Sequence, residues 1–250
     1  MDPTKRFSDR VQDYVKYRPS YPDALIDYLI AYTGIPETAT VADLGSGTGI
    51  FSGLLLERGF QVFGVEPNTK MRRASVSNLS DFPAYKAVNA SAEKTTLDDQ
   101  CADLITAAQS FHWFDVEKTR AEFARIAKPG AYAALIWNER TPEDPFQQRY
   151  EQLLENHVDA YAESMHLNIG EDLIRSFFQD AEVHFVSFDN QQMLDLTALK
   201  GRLLSTTYAP KHGQHNHSRV MSGLEDIFAE YHTNGAVAFR YNTNAFISRL

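Results

Sequence analysis

Val41-Ala42-Asp43-Leu44-Gly45-Ser46-Gly47-Thr48-Gly49 is the stretch on which the fold turns. The apolar run Val41–Leu44 passes directly into a glycine loop, and the residues from Ile50 onward read as a helix. Glycines in such a place let the backbone turn tightly and come close to a ligand. Their spacing here is Gly-x-Gly-x-Gly. The dinucleotide fingerprint puts its third glycine one residue later, at position 50, where this chain has Ile50. NAD and FAD are therefore disfavoured. A second apolar run ends in Val65-Glu66-Pro67, so that Glu66 stands 21 residues beyond Gly45. That is close to the distance at which an acid accepts both hydroxyls of a ribose. Asp43 precedes the loop at the carboxyl end of its strand, the edge where open α/β sheets bind ligands. A carboxylate there can hold an ammonium group or fix the loop backbone.

Working outward, apolar runs suited to buried strands recur at Gln61–Val65, Ala102–Ala108 and Ala131–Trp137, separated by stretches of helix length. Alternation of this kind predicts a parallel sheet. A weaker strand pattern covers Tyr85–Val88, and two late ones cover Val183–Phe188 and Val237–Phe246, which makes seven strands. Asp115 can cap a helix beginning at Val116, and Lys128-Pro129-Gly130 should stop that helix before the next strand. Between Pro145 and His217 the chain is mostly helical in pattern, rich in His, Gln and Asn, and broken by Pro210 and Gly213. This region reads as a cover over the sheet's ligand edge.

Composition narrows the function. The 250 residues, 43% of them hydrophobic, can bury one substantial core. There is no run of eighteen uncharged apolar residues, and Met1-Asp2-Pro3-Thr4-Lys5-Arg6 leads into polar sequence, so the expectation is a cytoplasmic protein without a membrane partner. With 24 basic and 33 acidic residues the net charge is −9, which repels phosphate backbones and disfavours nucleic acid as a partner. The single cysteine, Cys101, excludes an intramolecular disulfide and a cysteine-cluster zinc site; no metal is expected.

The glycine stretch resembles motif I of class I S-adenosylmethionine-dependent methyltransferases, and Gly64-Val65-Glu66-Pro67-Asn68 resembles the acidic strand end that follows it. Asn89-Ala90-Ser91-Ala92-Glu93 is similar to the loop bordering the adenine, and Ile126-Ala127-Lys128-Pro129-Gly130-Ala131 to the turn before strand five, with Ala127 and Ala131 departing from its usual Leu and Gly. Within that superfamily the chain resembles a small-molecule group that includes trans-aconitate methyltransferases. The segments carrying this are Tyr14-x-x-Tyr17-Arg18-Pro19-x-Tyr21-Pro22, Gln109-Ser110-Phe111-His112-Trp113-Phe114-Asp115 and Ser205-Thr206-Thr207-Tyr208-Ala209-Pro210. The resemblance implies an α/β fold, Rossmann-like, with a seven-stranded mostly parallel sheet, helices on both faces and a helical cover. It implies one domain over residues 1–250, divided into N-terminal lid helices (1–35), a cofactor-binding core (36–140), the mostly helical cover with strand six (141–220), and a last helix with strand seven (221–250).

The resemblance also assigns roles. S-adenosyl-L-methionine is the implied cofactor, with Gly45, Gly47 and Gly49 along its methionine and ribose portion, Glu66 on the ribose diol, Asp43 at the amino-acid end, and Met71 on an adenine face. Ala92 and Glu93 would meet the adenine edge, and Gln109 also belongs to the implied cofactor site. Arg18, set among tyrosines and prolines, suits a charge-assisted bond to the cofactor's carboxylate. Tyr14, His112, Trp113, Arg202 and Tyr208 are the candidate acceptor contacts, and His112 the candidate catalytic base. The sulfonium already supplies an activated methyl, so the protein need only align the reacting atoms and exclude water. The acceptor is expected to be a small organic acid or compact polar metabolite, although the same aromatic walls would suit a phenol. The rival readings are a nicotinamide-dependent oxidoreductase and a non-catalytic module that binds the cofactor. A monomer or homodimer is expected.

Overall fold

A computed structural model describes residues 11–141, 143–161, 170–179 and 181–250. The first ten residues of the expected lid segment, and residues 162–169 of the expected cover, lie outside this set. Two helices, α1 (Val11–Tyr17) and α2 (Asp23–Thr33), precede the first strand, β1 (Thr40–Leu44). Strand and helix then alternate through α3 (Ile50–Glu57), β2 (Gln61–Val65), α4 (Thr69–Asn78), β3 (Tyr85–Val88), β4 (Ala102–Ala108), α5 (Val116–Ile126) and β5 (Ala127–Arg140). Next come α6 (Pro145–His157), α7 (Glu171–Phe177), β6 (Val183–Leu194), α8 (Leu196–Leu204), α9 (His217–Tyr231) and β7 (Val237–Arg249).

The seven strands form one sheet in the order β3-β2-β1-β4-β5-β7-β6. The first five run parallel, and β7 is antiparallel to both β5 and β6. This is the expected Rossmann-like α/β architecture. Its central strands are apolar on both faces, as a parallel sheet between helical layers requires. Leu44, Ile105 and Leu135 point into one core with Phe123 and Ile126 of α5 and Phe177 of α7. Val41, Leu104 and Ile136 point into the other with Leu25 and Leu29 of α2 and Leu55 of α3. A third core joins α6, α8 and α9 to Phe239 and Tyr241 of β7.

Local signals set the boundaries. Asp115 caps α5 as its position suggests, its side chain accepting from the Lys118 N–H. The helix ends at Ile126 and extended backbone begins immediately at Ala127, four residues before the strand expected at Ala131. Lys128-Pro129-Gly130 therefore lies inside β5, at the break in register between Ala102↔Ala127 and Leu104↔Tyr132. Pro129 has no N–H to donate, so an irregularity there is what the residue imposes. Strand β6 continues six residues beyond its expected end at Phe188, because β7 offers an unbroken partner from Ser248 to Val237.

Candidate functional site

The strand order reverses at β1, whose neighbours are β2 on one side and β4 on the other. Chains leaving the carboxyl ends of β1 and β4 go to opposite faces and leave a crevice, where open α/β sheets bind ligands. A cavity opens at that point. Of the candidates read from sequence, Tyr14, Arg18, Asp43, Gly45, Gly47, Gln109 and Arg202 line it. Sequence reasoning had not singled out Thr48, Phe51 or Asn138, which also line it. Asn138, the first polar residue after the apolar run Ala131–Trp137 within β5, was the available signal.

The three loop glycines all have positive φ, at 70°, 59° and 86° for Gly45, Gly47 and Gly49. Their surroundings differ. A Cβ on Gly45 would lie 2.5 Å from the Ser110 Cβ, and one on Gly49 would lie 2.7 Å from the Leu79 Cδ1. Those two glycines serve packing as well as the turn. A Cβ on Gly47 would meet only the Met71 Cε, at 3.6 Å, so its Cα faces open space where a ligand can approach. The Gly47 N–H donates to Glu66 Oε2 at 3.0 Å, and the Asn68 N–H to Oε1 at 2.7 Å. Glu66 is thus fixed behind the loop, with lone pairs remaining on both oxygens. Burial raises its pKa from the ordinary carboxylate value, against the two N–H bonds that favour the charge.

Asp43 is buried at the cavity floor, Oδ2 accepting from the Ser52 hydroxyl at 2.6 Å and Oδ1 from the Thr106 hydroxyl at 2.9 Å. Burial pushes its pKa up to about 6, opposed by those two bonds. Gln109 follows β4 with φ 55°, a conformation costly for a side-chain-bearing residue. Its Oε1 accepts from the Asn138 backbone N–H at 2.8 Å, which settles the amide orientation and leaves Nε2 as its remaining donor group. Across the cavity Arg18 donates to the Ser205 carbonyl at 3.1 Å and lies 4.8 Å over the Tyr14 ring. Burial, and then repulsion from Arg202, lower its guanidinium from the usual value.

The remaining candidates fall outside the cavity wall. Met71 is buried beside Gly47, and Ala92 is buried in the sheet core. Glu93 accepts from the Asp115 N–H at 3.0 Å, at the start of α5. His112 and Trp113 form a single 3₁₀ turn after β4, half-buried, their rings 4.7 Å apart. The Tyr208 hydroxyl accepts from Arg140 at 3.2 Å, and its ring packs edge-on to Tyr161.

A cofactor with a ribose, an ammonium group and a carboxylate fits this donor and acceptor set. Glu66 and the open approach at Gly47 suit the ribose, Asp43 the ammonium and Arg18 the carboxylate. The buried Thr48 hydroxyl of the loop has no hydrogen-bond partner among the described residues, and a ligand at the loop could supply one. Among the described residues no group of three or more His, Cys, Asp and Glu could hold a metal, and no helix is long and apolar enough to cross a membrane.

Residues 42–135 match the family described as Methyltransferase domain. An uncharacterized methyltransferase of Mycobacterium tuberculosis is 37% identical over 140 residues, which are 56% of this chain and 54% of the relative. The chain thus spans about half the length of that curated relative. Among solved structures, the YcgJ protein from Bacillus subtilis superposes with a TM-score of 0.58 at 16% identity, covering 91% of this chain and 98% of that one. Phosphoethanolamine N-methyltransferase 2 of Haemonchus contortus, solved with S-adenosyl-L-methionine, gives 0.59 at 16% identity, covering 99% of this chain and 58% of that one. At these identities the structural likeness establishes the fold alone, a Rossmann-like α/β sheet flanked by helices.

Proposed function

We propose that this protein is an S-adenosyl-L-methionine-dependent methyltransferase acting on a small-molecule acceptor, a cytoplasmic enzyme working as a monomer or homodimer. The observation that carries the reading is the pairing of Gly47 with Glu66, an open backbone approach backed by a fixed, buried carboxylate at the sheet's switch point. Arg18, Asp43, Gly45, Gly47, Glu66 and Gln109 hold the cofactor. Glu66 accepts the ribose hydroxyls, Asp43 holds the ammonium and Arg18 the carboxylate. When bound, S-adenosylmethionine supplies a methyl already activated by positive sulfur. The chain's own part is to orient the acceptor and keep water out, and a carboxylate acceptor needs no base at neutral pH. An organic acid is the preferred acceptor class, supported by the resemblance to acid-methylating enzymes and by the cationic side of the cavity formed by Arg18 and Arg202.

Calorimetric titration with S-adenosylhomocysteine tests the reading. Wild type should bind, and Gly47→Val should not, since valine at φ 59° is strained and its branches fill the ligand's approach. Circular dichroism should show the variant folded. Binding retained by Gly47→Val would remove the loop from the site.

A further inference from the structure

We infer that Arg202 anchors an anionic group of the acceptor, one distinct from the group that receives the methyl. The inference rests on the methyltransferase reading above and names what the far wall of the same cavity selects. Arg202 reaches the cavity from α8 and is only 6% exposed. Its Nε donates to the Tyr241 hydroxyl at 3.0 Å, and its guanidinium carbon lies 5.7 Å from the Phe239 ring and 5.8 Å from the Tyr241 ring. These contacts hold the group rigidly. Among the described residues no carboxylate forms an ion pair with it, and its Nη1 is buried without a hydrogen-bond partner.

A guanidinium stays charged, and a buried charge lacking a counter-charge is costly, so it marks a place where an anion is missing. The charges of the cleft support this. Among the described residues Asp43 is the only carboxylate on the cavity wall and Glu66 lies behind the loop, against Arg18 and Arg202. S-adenosylmethionine carries two positive groups and one negative, so it leaves a positive excess. With its carboxylate on Arg18 and its ammonium on Asp43, Arg202 and the sulfonium face Glu66 as the one remaining carboxylate, and an anionic acceptor completes the balance. A carboxylate gripped by a guanidinium is a poor nucleophile, because its charge and lone pairs are engaged. The gripped group is therefore a handle, and methylation falls on a second group of the same molecule.

Titration of malonate, succinate and glutarate, alongside their neutral dimethyl esters, tests this in protein loaded with S-adenosylhomocysteine and in unloaded protein. At least one acid should bind and its ester should not. Arg202→Met should weaken acid binding at least tenfold, leave S-adenosylhomocysteine affinity within twofold, and leave the melting temperature unchanged or higher. Arg202→Lys, which keeps the charge and covers the case that the methionine variant fails to fold, should lose roughly three- to tenfold, since lysine lacks the planar fork. Acid binding that is absent in wild type, or indifferent to both variants, overturns the anchor. So does a tenfold loss of S-adenosylhomocysteine affinity with acid binding retained, which would put Arg202 on the cofactor's carboxylate. Failure of wild type to bind S-adenosylhomocysteine would sink the methyltransferase reading instead, and the acid titrations of unloaded protein still decide the anchor.

Discussion

Asp43 is held in a place that costs the fold stability. Its pKa of about 6 lies above the ordinary aspartate value, so the folded protein prefers the proton. The sign follows from linkage. Well below pH 4 the carboxyl is neutral in both states and there is no cost. Between about pH 4 and 6 the unfolded chain gives up the proton while the folded protein keeps it, so about 3 kcal/mol is lost across that interval and the loss is level above it. Asp43→Asn should therefore melt higher than wild type at pH 7 and much closer to it at pH 4, as scanning calorimetry would register. The same charge is what an ammonium group needs. S-adenosylhomocysteine affinity should rise about tenfold from pH 5 to pH 7 and flatten above, and Asp43→Asn should bind weakly with no such dependence. A flat wild-type profile would separate Asp43 from the ligand. Glu66 poses a related case. Glu66→Gln keeps shape but sets an amide NH₂ against one of two backbone N–H groups now satisfied by the carboxylate, and it offers a neutral acceptor to the ribose. Cofactor binding should weaken by about 1–3 kcal/mol in a calorimetric titration. An unchanged dissociation constant removes Glu66 from the site.

Helix α1 and the turn after it close the cavity from above. Tyr17 lies so near Gly201 of α8 that a Cβ there would come within 2.2 Å of its ring, and Gln192 of β6 donates to the Tyr17 carbonyl at 3.2 Å. With Arg18 on the Ser205 carbonyl, these contacts latch α1 to the cover. A latched segment over the proposed cofactor site would have to open for exchange. Hydrogen exchange at Tyr14–Arg18 should slow when S-adenosylhomocysteine binds, and equal exchange with and without it would end the lid idea. Elements were legible in the sequence to different degrees. The glycine loop and the Asp115 cap could be placed because each depends on neighbours a few residues away, and Glu66 because it ends an apolar run at a set distance from the loop. The start of β5 could not, because Ala127 is extended only by pairing with Ala102, a contact invisible to local pattern. The length of β6 depends in the same way on β7. In the site, the cavity-lining role of Arg18 and Arg202 was readable from type and context. The employment of Glu93 at the Asp115 N–H and of Tyr208 on Arg140 was not, since both are tertiary contacts.

At the scale of the whole molecule, the net charge of −9 sets the long-range field, while Arg18 and Arg202 place positive charge on the cavity wall. An extended polyanion would meet the overall field over its whole length, whereas a compact acid, the proposed acceptor, is small enough to reach the arginines. The two acceptor classes compatible with that crevice differ in how their rates respond to pH. A carboxylate is ionised throughout the neutral range, so at saturating cofactor its turnover should change little between about pH 6 and 8. A phenol must lose a proton to react, so its turnover should climb across the same interval. His112 distinguishes them a second time. It sits half-buried on the turn after β4, three residues beyond Gln109, and not on the cavity wall. An acid acceptor needs no base, so any effect of His112→Ala should fall on KM more than on kcat. For a phenol, loss of a base should appear in kcat. Dicarboxylic and tricarboxylic acids and a set of phenols, followed by S-adenosylhomocysteine release across pH 6 to 8, make the comparison direct. The expected result is activity on the acids with a flat profile. Activity confined to the phenols, rising with pH and lowered in kcat by His112→Ala, would overturn the acid assignment and make His112 the proton acceptor.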